Sequence, residues 1–153
     1  MKRQVTNNLF EFMLLFNLGG FIYYMIEILA RGHSHWSMYL LGGFCFVIVG
    51  LINERVSWDM LFQYQCLLGA GIITVLEFIT GIIVNIILGW NVWDYSDRPF
   101  NLLGQICLPF SLIWIVLSAV IIIVDDYIRY KLFKEEKPYY ISWTINKIRG
   151  DNK

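Results

Sequence analysis

The chain has 153 residues, 58% of them hydrophobic and 16% charged, and a formal net charge of zero at pH 7. A soluble domain of this size is about 45–50% apolar and about 25% charged, and it lacks the interior volume to hide such an excess. Disorder is excluded by the same numbers, and 12 basic residues balanced by 12 acidic ones supply no stripe for nucleic acid. The solvent this composition asks for is a lipid bilayer.

A helix needs about 20 mostly apolar residues to cross about 30 Å of hydrocarbon. In chain order the candidate spans are Leu9–Ala30, a shorter one from Trp36 to Asn53, Leu67–Leu88 and Leu102–Val124. None shows the alternation of a membrane barrel strand, and helices are the other way to satisfy the backbone in lipid. The expectation is an all-α integral membrane bundle of four transmembrane helices over residues 1–126, followed by a basic cytoplasmic tail over 127–153.

The first span carries Glu11, Asn17 and Glu27 and no small-residue cleavage site, so it reads as a retained helix and not a signal peptide. In the fourth, Gly104, Gln105 and Pro109 predict a kink-prone start. Cys45 and Cys107 fall inside spans as small apolar fillers, and three Cys without a C-x-x-C make neither a disulfide framework nor a zinc knuckle. In the tail, Pro138 breaks any continuous helix. Beyond it Ile141, Ile145 and Ile148 recur at helical spacing, which predicts a C-terminal amphipathic helix held by anionic lipid or docking a cytoplasmic partner.

With the N-terminus inside, Lys2, Arg3, Arg55, Arg129, Lys131, Lys134, Lys137, Lys147, Arg149 and Lys153 are cytoplasmic, and only Arg31 and Arg98 lie outside. That asymmetry places both termini in the cytoplasm under the positive-inside rule. Trp36, Trp58, Trp90, Trp93 and Trp143 fall at span ends or in the tail, as an aromatic belt requires, and Trp114 alone lies within a span. An internal echo also stands out: SMYLLGGFC at 37–45 and PFNLLGQIC at 99–107 agree at four of nine positions. Two parallel helix hairpins would explain it, as would chance among Leu- and Gly-rich membrane segments.

Ionisable groups in lipid are costly, so each asks for a reason. Glu77 lies ten residues into a 22-residue span, with Thr74, Gly81 and Asn85 near the same helical face. It is either a proton- or cation-exchanging group, or a structural carboxyl satisfied by a neighbouring helix or an Arg. Glu27, Arg31, His33 and His35 close the first span, and Trp93, Asp94, Tyr95, Asp97 and Arg98 form the second outer loop. Arg31 and Arg98 are expected to balance Glu27, Asp94 and Asp97, in a polar network with Asn85 and Gln105 that lines or gates a route. His33 and His35 are a weak metal candidate, lacking a third ligand at diagnostic spacing. Asp125 and Asp126 are expected to pair with Arg129 on a solvated helix end. No Walker loop, G-x-S-x-G or H-E-x-x-H is present, so neither enzyme chemistry nor a cofactor is expected.

The string VWDYSDRPFNLLGQICLPFSLIW (92–114), with YYMIEILARGHSHWSMYLLGG (23–43), resembles a small bacterial membrane family named putative ABC-transporter permease, type IV. The likeness spans roughly residues 20–126 and marks Glu27, Arg31, His35, Glu77, Trp93, Asp94, Tyr95, Ser96, Asn101, Gly104 and Trp114. It implies substrate translocation in a bacterial plasma membrane beside a separate ATP-binding subunit. Four helices leave little room for a path, so a homo-oligomeric transport subunit is expected. The alternatives are a non-transporting accessory or scaffold protein, and a membrane enzyme working at the outer Trp/Asp/His cluster.

Overall fold

Only four residues separate the first two helices, and that brevity folds them back on each other. In the computed structural model, which describes residues 9–52, 60–135 and 145, α1 runs Leu9–Arg31 and α2 runs Trp36–Gly50. Gly32 ends α1 at a φ of 77°, its N–H bonded to the Ile28 carbonyl at 2.8 Å. His35 caps α2, its ring nitrogen accepting from the Ser37 N–H at 3.3 Å. Glycines make the α1–α2 seam. A Cβ at Gly20 would lie 2.5 Å from the Tyr39 carbonyl, and one at Gly43 would lie 2.8 Å from the Phe16 ring. Small residues let two backbones approach where no hydrophobic effect presses the helices together.

The centre of the molecule is α2, with ten of its 15 residues buried. The helices α3 (Phe62–Gly81) and α4 (Leu108–Leu132) pack against it and against each other, and Gly69 admits Ser118 and Val49 where the three converge. Leu15, Met38, Val49, Ile73 and Ile122 are core residues, whereas Phe21, Val75, Ile79, Ile113 and Val116 are exposed. Large apolar side chains on outward faces suit hydrocarbon and not water.

Three helices are long and apolar enough to cross a bilayer: Leu9–Arg31, Phe62–Ile87 and Leu108–Leu132. At 1.5 Å per residue the 15 residues of α2 cover about 22 Å, short of a full crossing of about 30 Å. The helix stops at Gly50, with Leu51 as its cap, earlier than the span expected to reach Asn53. Asn53 itself, with Arg55 and Trp58, lies outside the described residues.

Two boundaries differ from the sequence reading for local reasons. Beyond Gly81 the third helix continues as a π-helical segment, Ile82–Ile87, in which the Leu88 N–H reaches the Ile83 carbonyl at 2.9 Å. The fourth helix starts at Leu108 and not at Leu102. Before it, Asn101–Leu102 and Ile106–Cys107 form a two-stranded antiparallel hairpin, with Asn101 opposite Cys107. Phe100, Leu103 and Gly104 adopt φ values of 53°, 52° and 69°, which no right-handed helix contains. Pro109 therefore sits in the first helical turn, where its missing N–H costs nothing, and it starts α4 instead of kinking it. The internal echo ends here as well, because 37–45 is helical while 99–107 is turn and hairpin. Cys107 is the residue that caps α4, and it is not inside a span.

At its far end α4 runs past Val124 to Leu132, so Asp125, Asp126 and Arg129 belong to the helix. Of the predicted amphipathic stripe in the tail, Ile141 and Ile148 lie outside the described residues, while Ile145 is helical and exposed.

Candidate functional site

Glu77 is 1% exposed, so its carboxylate oxygens need donors from the protein. Two arrive. The Trp114 indole N–H on α4 donates to Oε2 at 2.9 Å, and the Tyr95 hydroxyl donates to Oε1 at 3.3 Å. Both donors are neutral, and among the described residues no ion pair reaches Glu77. Tyr95 belongs to the loop between α3 and α4, and its ring stacks on Phe110 with centroids 4.7 Å apart. Burial, followed by the Glu77 carboxylate, pushes the Tyr95 hydroxyl well above its ordinary pKa, so it stays a donor.

The loop is held there by side chains of α3 and the hairpin. Asn85, in the π-helical turn, donates to Gln105 Oε1 at 2.8 Å and accepts from the Val92 N–H at 2.7 Å. Gln105 in turn accepts the Trp93 indole N–H on its carbonyl at 2.9 Å and donates its amide to the Leu103 carbonyl at 2.8 Å. Gly81 makes room, since a Cβ there would meet Gln105 Oε1 at 2.6 Å and Trp93 at 3.0 Å. The sequence assigned Trp93 to an interfacial belt, but at 5% exposure it is the buried anchor of this loop. π-helical turns of this kind recur at functional positions.

The charged residues of the two loops do not gather into one network. Glu27 accepts from Arg31 at 2.6 Å and from the Ser34 hydroxyl at 2.6 Å, and Arg31 reaches the Val92 carbonyl at 3.5 Å, tying α1 to the second loop. Asp94 instead closes a local turn, accepting the Ser96 hydroxyl at 2.5 Å and its N–H at 2.8 Å. Those two bonds hold the Asp94 carboxyl below the usual carboxylate range. Arg98 and Asp97 approach to 3.5 Å, both exposed, a contact of little energetic weight. His33 lies against the Arg31 carbonyl, while His35 is used by Ser37 and packs with the Trp36 and Trp90 rings, which also touch each other. Among the described residues, no three His, Cys, Asp or Glu side chains assemble as a metal set.

A second polar cluster lies at the opposite end of the bundle, where the expected pairing of Asp125 with Arg129 is present but is buried and joined by Glu11. Arg129 is 3% exposed; its Nε donates to Asp125 at 2.7 Å and its Nη1 pairs with Glu11 and lies 3.6 Å from Glu135. Glu11, Asp125 and Asp126 are all buried, and Gly50 leaves room for the Asp125 carboxylate. The expected solvated helix end is thus a buried charge cluster. Because α4 extends beyond its apolar run, its acids and arginine enter the bundle, where only mutual pairing makes burial tolerable. The available signal was Glu11, a charge early in an apolar span at the same height as the Asp125–Arg129 pair.

Between α1 and α4 lies a cavity of about 380 Å³, bounded by Tyr23, Ile26 and Ala30 on one side and by Ile113, Trp114 and Val120 on the other. A smaller one of about 70 Å³ reaches Glu77. A carboxylate held by two neutral donors beside such space can take up a proton or a small cation without breaking an ion pair. No curated protein and no solved structure matches the chain. A family model covers residues 14–147, nearly the whole sequence, and includes both segments that build the Glu77 site. The chain belongs to the family described as putative ABC-transporter type IV.

Proposed function

We propose that the chain is a non-enzymatic, multi-pass membrane subunit of a transport system, moving a small solute or ion with Glu77 as the exchanging group. Both termini face the cytoplasm of a bacterial cell, which requires the short α2 and the residues after it to make a fourth crossing together, and the chain works as a homo-oligomer with a separate ATP-binding subunit. The supporting observation is the Glu77 carboxylate, buried between Trp114 and Tyr95 and touching the smaller cavity. A side chain so costly to place in hydrocarbon implies a use there. Tyr95 supplies the gate, since movement of its loop breaks the longer of the two bonds and exposes the carboxylate to the space between α1 and α4.

A second reading, a scaffold without transport, draws support from the same atoms, because both Glu77 oxygens already have partners. One experiment separates the two. The full chain is purified from its own membranes with whatever it holds, and ATP-driven proton and cation uptake is followed in sealed vesicles. Transport predicts a co-purifying ATP-hydrolysing subunit and a loss of uptake of about tenfold or more in Glu77→Gln, equivalent to about 1.4 kcal/mol on the barrier. A chain that purifies without ATPase activity, or a Glu77→Gln protein with unchanged uptake, leaves the scaffold.

A further inference from the structure

The geometry points to a lipid-binding site: the cleft between α1 and α4 takes one acyl chain of a phospholipid from the leaflet at the loop end. The inference rests on placement of the chain in a bilayer and not on transport.

The cleft exists because α1 and α4 are held apart. At the end nearest Leu9 they meet through Glu11 and Arg129 and through the Phe10 and Phe133 rings, 6.4 Å apart. Near mid-height the Tyr23 and Trp114 rings approach, with centroids 6.3 Å apart. Around that contact and toward the loop end the helices leave about 380 Å³ between them, within the range of about 300–1,000 Å³ usual for small-molecule sites.

Its walls specify the occupant. On α1, Tyr23, Ile26 and Ala30 follow one another at helical spacing, and on α4 Ile113, Val116 and Val120 do the same, so each helix turns one apolar stripe to the cleft. Ile26, Ile113, Val116 and Val120 are also exposed on the outer surface, which makes the cleft continuous with the lipid-facing surface of the bundle. A molecule arriving this way comes out of hydrocarbon, and walls of this kind bind hydrocarbon in preference to water. Charge is confined to one end, where Glu27 and Arg31 form the rim. Arg31 reaches the carbonyl of Val92 in the loop that also carries Trp90, whose ring packs on Trp36, and interfacial Trp rings mark headgroup level. An apolar slot with a charged rim at the interface is complementary to an amphiphile with one chain inserted and its phosphate near the Arg31 guanidinium.

The test uses the full chain, reconstituted in phosphatidylglycerol vesicles, re-extracted in maltoside detergent and weighed intact by native mass spectrometry. The expected result is one phosphatidylglycerol retained per chain. Val120→Phe and Ala30→Phe fill the slot from exposed positions that the fold tolerates, and each is expected to lower retention about tenfold. Ile79→Phe, on the lipid-facing side of α3, keeps the lipid, and so does Glu77→Gln, which separates this site from the transport reading. Retention of detergent only, of no lipid, or of equal lipid in all the variants overturns the assignment. A chain that stays dispersed in buffer without detergent overturns the bilayer placement and the site together.

Discussion

The two ends of the bundle bury carboxylates by opposite means. At the loop end, Glu77 is held by an indole and a phenol, neutral donors, one of them on a loop. At the other end, Glu11 and Asp125 share the guanidinium of Arg129, and the partners sit on α1 and α4. Neutral donors can be withdrawn singly at modest cost, whereas removing the cation from a charge cluster takes the shared counter-charge from both Glu11 and Asp125. The first arrangement suits a group that must change partners; the second suits a clamp.

The sharpest way to break this contrast is Arg129→Leu. Removing the guanidinium that buried Glu11 and Asp125 share is expected to cost about 3–5 kcal/mol, read as lost thermal stability in detergent, and a loss near zero would make the cluster a surface feature. Next comes Trp114→Phe, which keeps the ring in the core but deletes the donor to Glu77 Oε2. The expected loss is about 1–3 kcal/mol, clearly below that of Arg129→Leu, and equal losses would erase the distinction between the ends.

The smallest effect belongs to Tyr95→Phe, at about 0.5–1 kcal/mol near neutral pH, because the 3.3 Å bond is long and Trp114 remains. This variant has a second readout. The folded protein keeps the Tyr95 proton above the ordinary tyrosine value of 10.0, where an unfolded chain gives it up. Stability should therefore decline as pH rises past 10.0, and melting curves of Tyr95→Phe should decline less steeply. Parallel alkaline declines in the two proteins would mean that Tyr95 is not held at the carboxylate.

Much of this was legible in the order of the residues. Glu77 stands out because a carboxyl inside a long apolar run is rare and local, and Asn85 and Gly81 follow it at helical spacing. The boundary of α4 was not legible, because hydropathy rates 102–107 as apolar whether it is helix or hairpin, and positive φ at Phe100 and Leu103 leaves no signature in side-chain type. Trp93 fits a belt or a core equally well by composition; only the contact with Gly81 and Gln105 selects the core. The charge cluster was hidden for another reason, since Glu11 and Arg129 are 118 residues apart.

Composition and the periodicity of apolar runs by themselves determined the helical class, the apolar faces and the one carboxyl that stands out within them, because transfer from water to hydrocarbon is a property of each side chain alone. Tertiary structure decided which polar atoms meet, how α1 and α4 stand apart above their clamp, and that the loop carrying Tyr95 reaches Glu77. Those outcomes depend on hydrogen-bond distances and backbone approach between remote segments, and no local stretch of sequence encodes a distance.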